Sequence, residues 1–456
     1  MSVAKLVSKR AHQVPGKLTI SEHFFEVPLN HASPLDGSLR LFARSIERFE
    51  KPVGVVEEET KPLPWLLYLQ GGPGFPCRSP QNYGWTEKAL DKGYQIMFLD
   101  QRGTGLSSTV TEQTLARLGG PMAQATYLRH FRADSIVEDC EAIRRNLTAE
   151  QPEEKQKWSI IGQSFGGFCC LNYLSTHPEG LREAFILGGL APIVVEQPDP
   201  VYQNLYHKVA ERNRSYYAKY PEDIQRVKNI IHYLQTEKVK LPDLLFDVWT
   251  KILGVWTDSL AGGIDAVHEI ILRLDSDLEY YGYFTRPTLS GFESTQGFDD
   301  NPLYALMHEA IYLQGRHASN WSADRVMKDH PVFMNLSTSN DEPIYFTGEM
   351  IYPSMFRDYT QLRNLAPTAD ILAQMTDWPA LYNPDRLAHT NDVPVYASIY
   401  VDDMYVSYDL ARETAARVRN CKTFITNAMY HDAIGAAGKS EEVFRRLFAL
   451  REDVLD

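Results

Sequence analysis

The residues best suited to chemistry lie around Ser164. An apolar run at 158–161 leads into residues 162–166, which read Gly-Gln-Ser-Phe-Gly, and a segment that can continue as a buried helix follows. Between a strand and a helix, this pattern is typical of a nucleophile elbow, a tight turn that exposes a serine hydroxyl at the carboxyl end of a strand. A glycine-rich turn that happens to contain a serine is the alternative. The predicted strand and helix favour the nucleophile.

A nucleophilic serine needs a general base, and the base needs a carboxylate to orient it. After an elbow serine, these partners follow in the order acid, then histidine, which is typical of α/β-hydrolases. Among the 13 histidines, His431 is the best candidate because it comes directly after the last predicted strand, whereas His389 precedes a strand. Asp402 and Asp403 both follow the run at 393–400, and composition alone does not choose between them.

Residues 71–74, Gly-Gly-Pro-Gly, supply a second turn after an apolar run. Acyl transfer passes through an oxyanion, which is stabilised by two preorganised backbone N–H donors. Gly72 offers one such donor, and Phe165, directly after the serine, offers the other; Pro73 has no N–H and can only shape the turn. Alone the segment is compatible with a plain turn, but beside an elbow it predicts an oxyanion hole.

Apolar runs alternate with helical patterns along much of the chain, and glycine-rich turns follow several of the runs. This alternation predicts an α/β fold with a doubly wound, mostly parallel sheet. The predicted strands are 18–27, 39–46, 65–69, 96–99, 158–161, 184–190, 393–400 and 422–426. The predicted helices flanking them include 134–147, 410–418 and 441–450.

The pattern changes after about residue 195. Aromatic residues become frequent, helical periodicity dominates, and no parallel-strand run is evident before 393–400. We therefore expect a catalytic domain formed by 1–195 and 386–456, with a mostly helical cap at 196–385 inserted between two strands of the sheet.

Together these motifs resemble those of the proline iminopeptidases (prolyl aminopeptidases), in the longer form found in fungi and some bacteria. The resemblance spans about residues 65–435 and rests on the segments 71–74, 100–107, 162–167, 403–406 and the loop that contains His431. Because the family's acid directly precedes Met-Tyr-Val, the resemblance favours Asp403. One departure is Gln70, where many relatives have histidine, which bears on how the oxyanion turn is supported.

The resemblance implies an α/β-hydrolase serine peptidase with a helical cap that releases N-terminal proline and needs no metal or cofactor. In this family, cap glutamates bind the free α-amine of the substrate. Residues 308–312 and 346–350 resemble the segments that carry them, which assigns this role to Glu309 and Glu349. An ammonium group buried in a cleft does need carboxylates to offset its desolvation. For each glutamate, a charge on a helix surface is the alternative.

Two other kinds of function remain open. A capped esterase or amidase of the same fold would use the same serine, histidine and acid but would not need buried cap carboxylates. A catalytically silent binding protein on this fold is disfavoured because Ser164, Asp403 and His431 fill all three positions.

Composition restricts the partners and the compartment. A formal net charge of −13 argues against nucleic acid, which requires a concentrated basic surface. No apolar run has the length of a membrane-spanning helix, so we expect a soluble protein. Five cysteines without metal-site or disulfide spacing predict free thiols in the cytoplasm. Residues 1–18 carry basic residues and no acid, which predicts a surface tail, with an organelle transit peptide as the alternative.

Overall fold

The computed structural model describes residues 3–49, 63–236, 263–293, 298–435 and 439–453. Within these residues a nine-stranded sheet has the spatial order β1-β2-β3-β5-β4-β6-β7-β8-β9. Its strands are β1 (Lys5–Val14), β2 (Leu18–Pro28), β3 (Ser38–Arg48), β4 (Trp65–Leu69), β5 (Gln95–Asp100), β6 (Trp158–Gln163), β7 (Leu181–Leu187), β8 (Val395–Tyr400) and β9 (Cys421–Thr426).

The sheet is mostly parallel, as predicted. Strands β1, β2, β3 and β5 pair antiparallel, and every later pair from β5 across to β9 is parallel. Each predicted strand is present. The strand predicted at 184–190 instead ends at Leu187, because Gly188 adopts a φ of +51°, a left-handed conformation that is incompatible with a strand.

Helices pack on both faces of the sheet, and the described residues form these α-helices: α1 (Thr86–Asp91), α2 (Glu112–Ala116), α3 (Pro121–Leu128), α4 (Ala133–Thr148), α5 (Phe165–Thr176), α6 (Asp199–Lys219), α7 (Asp223–Thr236), α8 (Ile264–Tyr281), α9 (Arg286–Glu293), α10 (Pro302–Met307), α11 (Ser322–Met327), α12 (Met355–Asp358), α13 (Thr360–Arg363), α14 (Ala366–Gln374), α15 (Tyr408–Arg417) and α16 (Lys439–Glu452).

The doubly wound arrangement is visible in the side chains of β4. Leu67 and Leu69 belong to the apolar layer on the face covered by α4 and α5, whereas Leu66 and Tyr68 belong to the layer covered by α16. Successive residues of a strand point to opposite faces, and here both faces are buried. A strand of this kind reads as a continuous apolar run, which is why β4 to β8 were predictable.

The interpretation of residues 1–18 as a surface tail is wrong for most of the segment. Lys5–Val14 forms β1, which pairs antiparallel with β2 at the edge of the sheet. Its side chains are almost all exposed, so the strand lacks the alternation of apolar and polar residues that identifies a half-buried strand. The strand is held by backbone hydrogen bonds with β2, and such bonds do not depend on the side-chain pattern of the sequence.

Between β7 and β8, the described residues form the helices α6 to α14 and shorter helical turns. This is the region for which a helical cap was predicted, and the boundaries 196 and 385 stay a prediction. Among the residues described here, no helix combines the length and the apolar composition that crossing a membrane requires.

Candidate active site

Ser164 occupies the turn between β6 and α5 with a φ of +52°, which is rare for a residue with a side chain. The turn is possible because its neighbours are glycines. A Cβ on Gly162 would overlap the carbonyl of Gly166, and a Cβ on Gly166 would overlap the carbonyl of Leu69 in β4. The Ser164 N–H donates to the carbonyl oxygen of Leu187 (2.9 Å) and ties the turn to β7. The strained serine thus lies at the carboxyl end of the central parallel strands.

A hydrogen-bonded chain connects Ser164, His431 and Asp403. The Ser164 Oγ is 2.9 Å from His431 Nε2, and His431 Nδ1 is 2.8 Å from Asp403 Oδ2. The other oxygen of Asp403 accepts the backbone N–H groups of Tyr405 (2.7 Å) and Val406 (3.0 Å). These bonds hold the buried carboxylate in one orientation, and a carboxylate on Nδ1 leaves Nε2 facing the serine hydroxyl.

The structure distinguishes the two adjacent aspartates that follow β8. Asp403 is buried against His431, whereas the Asp402 side chain is one-third exposed and lies 3.7 Å from the ammonium group of Lys208. The structure therefore brings Asp403, and not Asp402, to the histidine.

Three carboxylates act on the protonation of His431. Burial alone would lower the pKa of this imidazole, but the negative charges of Asp403, Glu349 and Asp432 outweigh burial and raise the pKa to about 8. The ring of Tyr405 stacks on the imidazole, with centroids 4.6 Å apart. The surrounding negative charge therefore favours the protonated form of the imidazole.

The Gly-Gly-Pro-Gly turn passes directly beside the serine. A Cβ built on Gly71 would lie 3.1 Å from the Ser164 Cβ, and Gly72 adopts a φ of +135°. Gln70 braces this turn, since its side-chain carbonyl accepts the Tyr68 hydroxyl (2.6 Å) and its backbone carbonyl accepts the Gln101 amide (3.1 Å). The residue that departs from the family pattern thus has a supporting role that an amide can fill.

One candidate donor, Gly72, belongs to the turn that passes beside Ser164, and the other, Phe165, directly follows the serine. Phe165 is the first residue of α5, where a helix leaves its N–H groups without intrahelical acceptors. The role of the Gly72 and Phe165 N–H groups as oxyanion donors stays a prediction.

Glu349 lies on the side of the site formed by the residues between β7 and β8. One carboxylate oxygen accepts the hydroxyl of Tyr304, and the other is 3.7 Å from His308 Nε2. Its side chain retains 18% exposure, and its charge acts on His431. Glu349 is thus a partly open carboxylate within electrostatic range of the serine's base.

Glu309 has different surroundings from Glu349. Its carboxylate is buried and accepts the backbone N–H of Ala323 (3.0 Å) in the first turn of α11. Ser319 and Ser322 also donate to it; burial nevertheless raises the pKa of Glu309. The carboxylate therefore stabilises the start of α11, and its role in amine binding stays a prediction.

The sequence interpretation assigned no role to Tyr304, His308 or Tyr202, which line the site near Glu349. Tyr304 lies within α10 and His308 directly follows the helix; their ring centroids are 4.9 Å apart, and the Tyr202 hydroxyl is 3.2 Å from His308 Nδ1. The i, i+4 spacing of a tyrosine and a histidine was the available signal, although it equally describes an ordinary buried helix face.

The described part of the chain contains no group of three or more histidine, cysteine, aspartate or glutamate side chains arranged to hold an ion.

The chain is similar to several known proteins. Residues 64–241 match the sequence model of the alpha/beta hydrolase fold family. The chain is 47% identical to a proline iminopeptidase of Aspergillus aculeatus, over 99% of this chain and 98% of that protein. It is 39% identical to a proline iminopeptidase of Aeromonas sobria, over 98% of this chain and 100% of that protein. Among solved structures, a proline iminopeptidase of Mycobacterium smegmatis aligns over 98% of this chain and 99% of its own, with 14% identity and a TM-score of 0.41.

Proposed function

Because the chain belongs to the proline iminopeptidase family, we propose that it is a serine aminopeptidase that releases N-terminal proline from peptides. The observation that carries the proposal is the hydrogen-bonded chain from Ser164 through His431 to Asp403, with the Glu349 carboxylate nearby. A nucleophile, a base and a group that orients the base are the parts required for acyl transfer through a covalent intermediate.

In the proposed mechanism, Ser164 Oγ attacks the carbonyl carbon of the N-terminal proline while His431 Nε2 takes the hydroxyl proton. The backbone N–H groups of Gly72 and Phe165 stabilise the resulting oxyanion. The intermediate collapses when the C–N bond breaks, and His431 gives its proton to the leaving amine. Water, deprotonated by the same imidazole, then attacks the ester carbonyl; the bond to Ser164 Oγ breaks, His431 returns the proton to that oxygen, and proline is released. Asp403 keeps the imidazole oriented throughout and stabilises its positive charge.

The substrate's ammonium group is proposed to bind the cap carboxylates. Glu349 supports this role directly, because it is partly open and acts on His431 electrostatically. Glu309 is proposed as the second carboxylate of the amine site; its charge, like that of Glu349, raises the pKa of Tyr202. Each charge would offset part of the desolvation of a buried ammonium group.

Aromatic rings beside these carboxylates suit a small apolar ring such as that of proline. Phe75 of the oxyanion turn lies 5.4 Å from Tyr304, and Phe168 of α5 lies 5.6 Å from Tyr312, measured between ring centroids. Aromatic faces provide apolar area with little conformational freedom to lose on binding. We propose that these rings form the walls of the proline site.

Ser164→Ala tests the mechanism. Turnover of a proline chromogenic amide should fall by about 10⁴-fold or more because the covalent step is lost, while the unfolding temperature stays close to that of the wild type. Ser175→Ala is the matched control, since Ser175 lies in α5 and its hydroxyl bonds only to a helix carbonyl, that of Leu171. Near-normal amidase activity in Ser164→Ala would contradict the proposed mechanism.

The substrate class is tested by blocking the amine. N-acylated proline amides should be nearly inert, because acylation removes the cation and leaves buried carboxylates unpaired, which typically costs about 2–5 kcal/mol. A short-chain ester serves as the reference substrate. Equal cleavage of free and acylated proline amides would indicate that the protein is a capped esterase or amidase and not an aminopeptidase. Failure on all three substrates, with Ser164 unreactive toward a phosphonate, would indicate a silent binding protein.

We also propose the cytoplasm as the compartment. The five cysteines are free thiols, three of them buried, and thiols persist where the environment is reducing. Fractionation of the source cells with an antibody against the protein tests this location.

A further inference from the structure

Tyr304 connects two parts of the site that lie far apart in the sequence. Its hydroxyl donates to Glu349, and its ring packs 5.4 Å from Phe75 in the oxyanion turn. Its backbone nitrogen lies 2.9 Å from the position that a Cβ on Gly74 would occupy. The residue is buried. It therefore contacts the turn that carries the oxyanion donor and holds the carboxylate proposed to bind the amine.

His308 contributes to the same arrangement from one helical turn further along. Its ring packs against Tyr304, its Nε2 faces the second oxygen of Glu349, and its Nδ1 faces the Tyr202 hydroxyl. When Tyr202 donates to Nδ1, the ring proton resides on Nε2 and points to the carboxylate. One oxygen of Glu349 thus contacts Tyr304 in α10, and the other faces His308, which directly follows α10.

The position of Glu349 is constrained from its backbone as well. Gly348 adopts a φ of +73°, and a Cβ there would lie 3.1 Å from a methyl carbon of Val209 in α6. The side-chain contacts of Tyr304 and His308 and the tight turn at Gly348 together restrict the position of the carboxylate. A carboxylate has about four acceptor sites, so those that Tyr304 and His308 do not use stay available to a ligand.

The distance between an amine-binding carboxylate and an oxyanion hole decides which amide bond is cleaved. In an N-terminal residue, one carbon separates the amine from the reacting carbonyl. A substrate with a longer spacing can satisfy the carboxylate or the oxyanion donors, but not both at once. Misplacement of a reacting group by about 1 Å can reduce the rate by about 100-fold.

We infer that Tyr304, supported by His308, is a specificity-determining positioning residue that sets the spacing between the Glu349 carboxylate and the oxyanion turn. The inference rests on the proposed aminopeptidase function. It assigns to Tyr304 the selection of substrates whose amine lies on the carbon next to the scissile carbonyl. Tyr304 itself contacts the carboxylate and the turn, and acts on the substrate through them.

Tyr304→Phe is the experiment, because it removes the hydroxyl and keeps the ring that packs on Phe75. We compare the chromogenic amide of proline with that of β-homoproline, which has one more methylene between amine and carbonyl. The wild type should prefer the proline amide by about 100-fold. In the variant, kcat/KM for the proline amide should fall about 10- to 100-fold, as expected for a lost hydrogen bond to a charged group, and the preference should shrink below tenfold. Hydrolysis of a neutral short-chain ester should fall much less.

Tyr217→Phe is the matched control. It also removes a buried tyrosine hydroxyl, but one that donates to the Ile344 carbonyl (2.5 Å) and not to Glu349, so it should leave the preference unchanged. His308→Gln provides an independent second variant, and it should weaken the preference in the same direction. Unfolding temperatures of all variants report any general loss of structure.

An unchanged preference in Tyr304→Phe would overturn the assignment while leaving the aminopeptidase function intact. An equal loss of preference in Tyr217→Phe would also overturn the assignment. The Tyr304 hydroxyl would then affect the preference only through the general stability of the fold. If the wild type itself cleaves N-acylated proline amide as well as the free amine, the proposed function fails first, and the inference fails with it.

Discussion

Replacing Glu349 with glutamine should change the acid–base behaviour of His431. Burial alone would lower the pKa of that imidazole, but Asp403, Glu349 and Asp432 raise it to about 8. Glutamine has the same size and can still accept the Tyr304 hydroxyl, but it carries no charge. The pKa of His431 should therefore fall, because one of the charges that stabilise the imidazolium is gone.

The size of the effect follows from the pKa. With a pKa of about 8, about 9% of the free enzyme holds the neutral imidazole at pH 7. If the substitution lowers the pKa to about 7.5, the neutral fraction rises to about 24%. For a substrate that does not use Glu349, Glu349→Gln should accordingly be about 2.5-fold faster at pH 7 and equally fast at pH 9. The same substitution should slow cleavage of a proline amide, whose ammonium group loses its partner.

The assay is kcat/KM for a short-chain ester without ionisable groups, measured between pH 6 and pH 10, because its acid limb reports the base of the free enzyme. The midpoint should lie near pH 8 for the wild type and lower for Glu349→Gln. Asp402→Asn is the matched control: it removes a neighbouring carboxylate that is one-third exposed and lies beside the Lys208 ammonium group. An unchanged midpoint in Glu349→Gln, or an equal shift in Asp402→Asn, would refute the electrostatic reasoning.

Two further predictions concern individual residues. Asp403→Asn should reduce turnover of a proline amide by about 10³- to 10⁴-fold, because the asparagine side chain orients the His431 ring wrongly. Asp402→Asn should reduce turnover far less. The opposite ranking in steady-state kinetics would contradict the assigned geometry. His23 is buried against Ser45, and burial, with the charge of Lys9, lowers its pKa to about 4. The unfolded chain therefore binds a proton below about pH 6.5 that the folded chain does not, so the free energy of unfolding should drop by about 2 kcal/mol between pH 8 and pH 5. His23→Gln should remove this part of the pH dependence in urea unfolding, and an unaltered dependence would show that other groups cause it.

Short-range patterns were sufficient to predict the framework of the site. The strands β4 to β8 are buried on both faces, so each reads as an apolar run. The elbow was recognisable because the close approach of β6, α5 and β4 excludes any side chain at Gly162 and Gly166. Ser164 and His431 follow from this framework, since each comes directly after a predicted strand. The family resemblance added Asp403 and the two cap glutamates.

Tertiary structure decided what no local pattern encodes. Strand β1 escaped prediction because an edge strand exposed on both faces is held mainly by backbone pairing. Asp402 and Asp403 are chemically equivalent neighbours, and only the path of the chain after β8 turns one toward His431 and the other toward Lys208.

The two cap glutamates show most clearly that local sequence does not determine the partners of a side chain. In the sequence, Glu309 and Glu349 are similar acids in a helical, aromatic region. In the fold, Glu309 accepts the N–H groups at the start of α11, whereas Glu349 is held by Tyr304 and acts on His431. Tyr304 and Glu349 are 45 residues apart, and their contact exists because the helices between β7 and β8 pack against the turn that follows β4. Local sequence determines which segments become strands and turns, but a carboxylate's partners and its influence on a distant imidazole arise only when those segments are packed together.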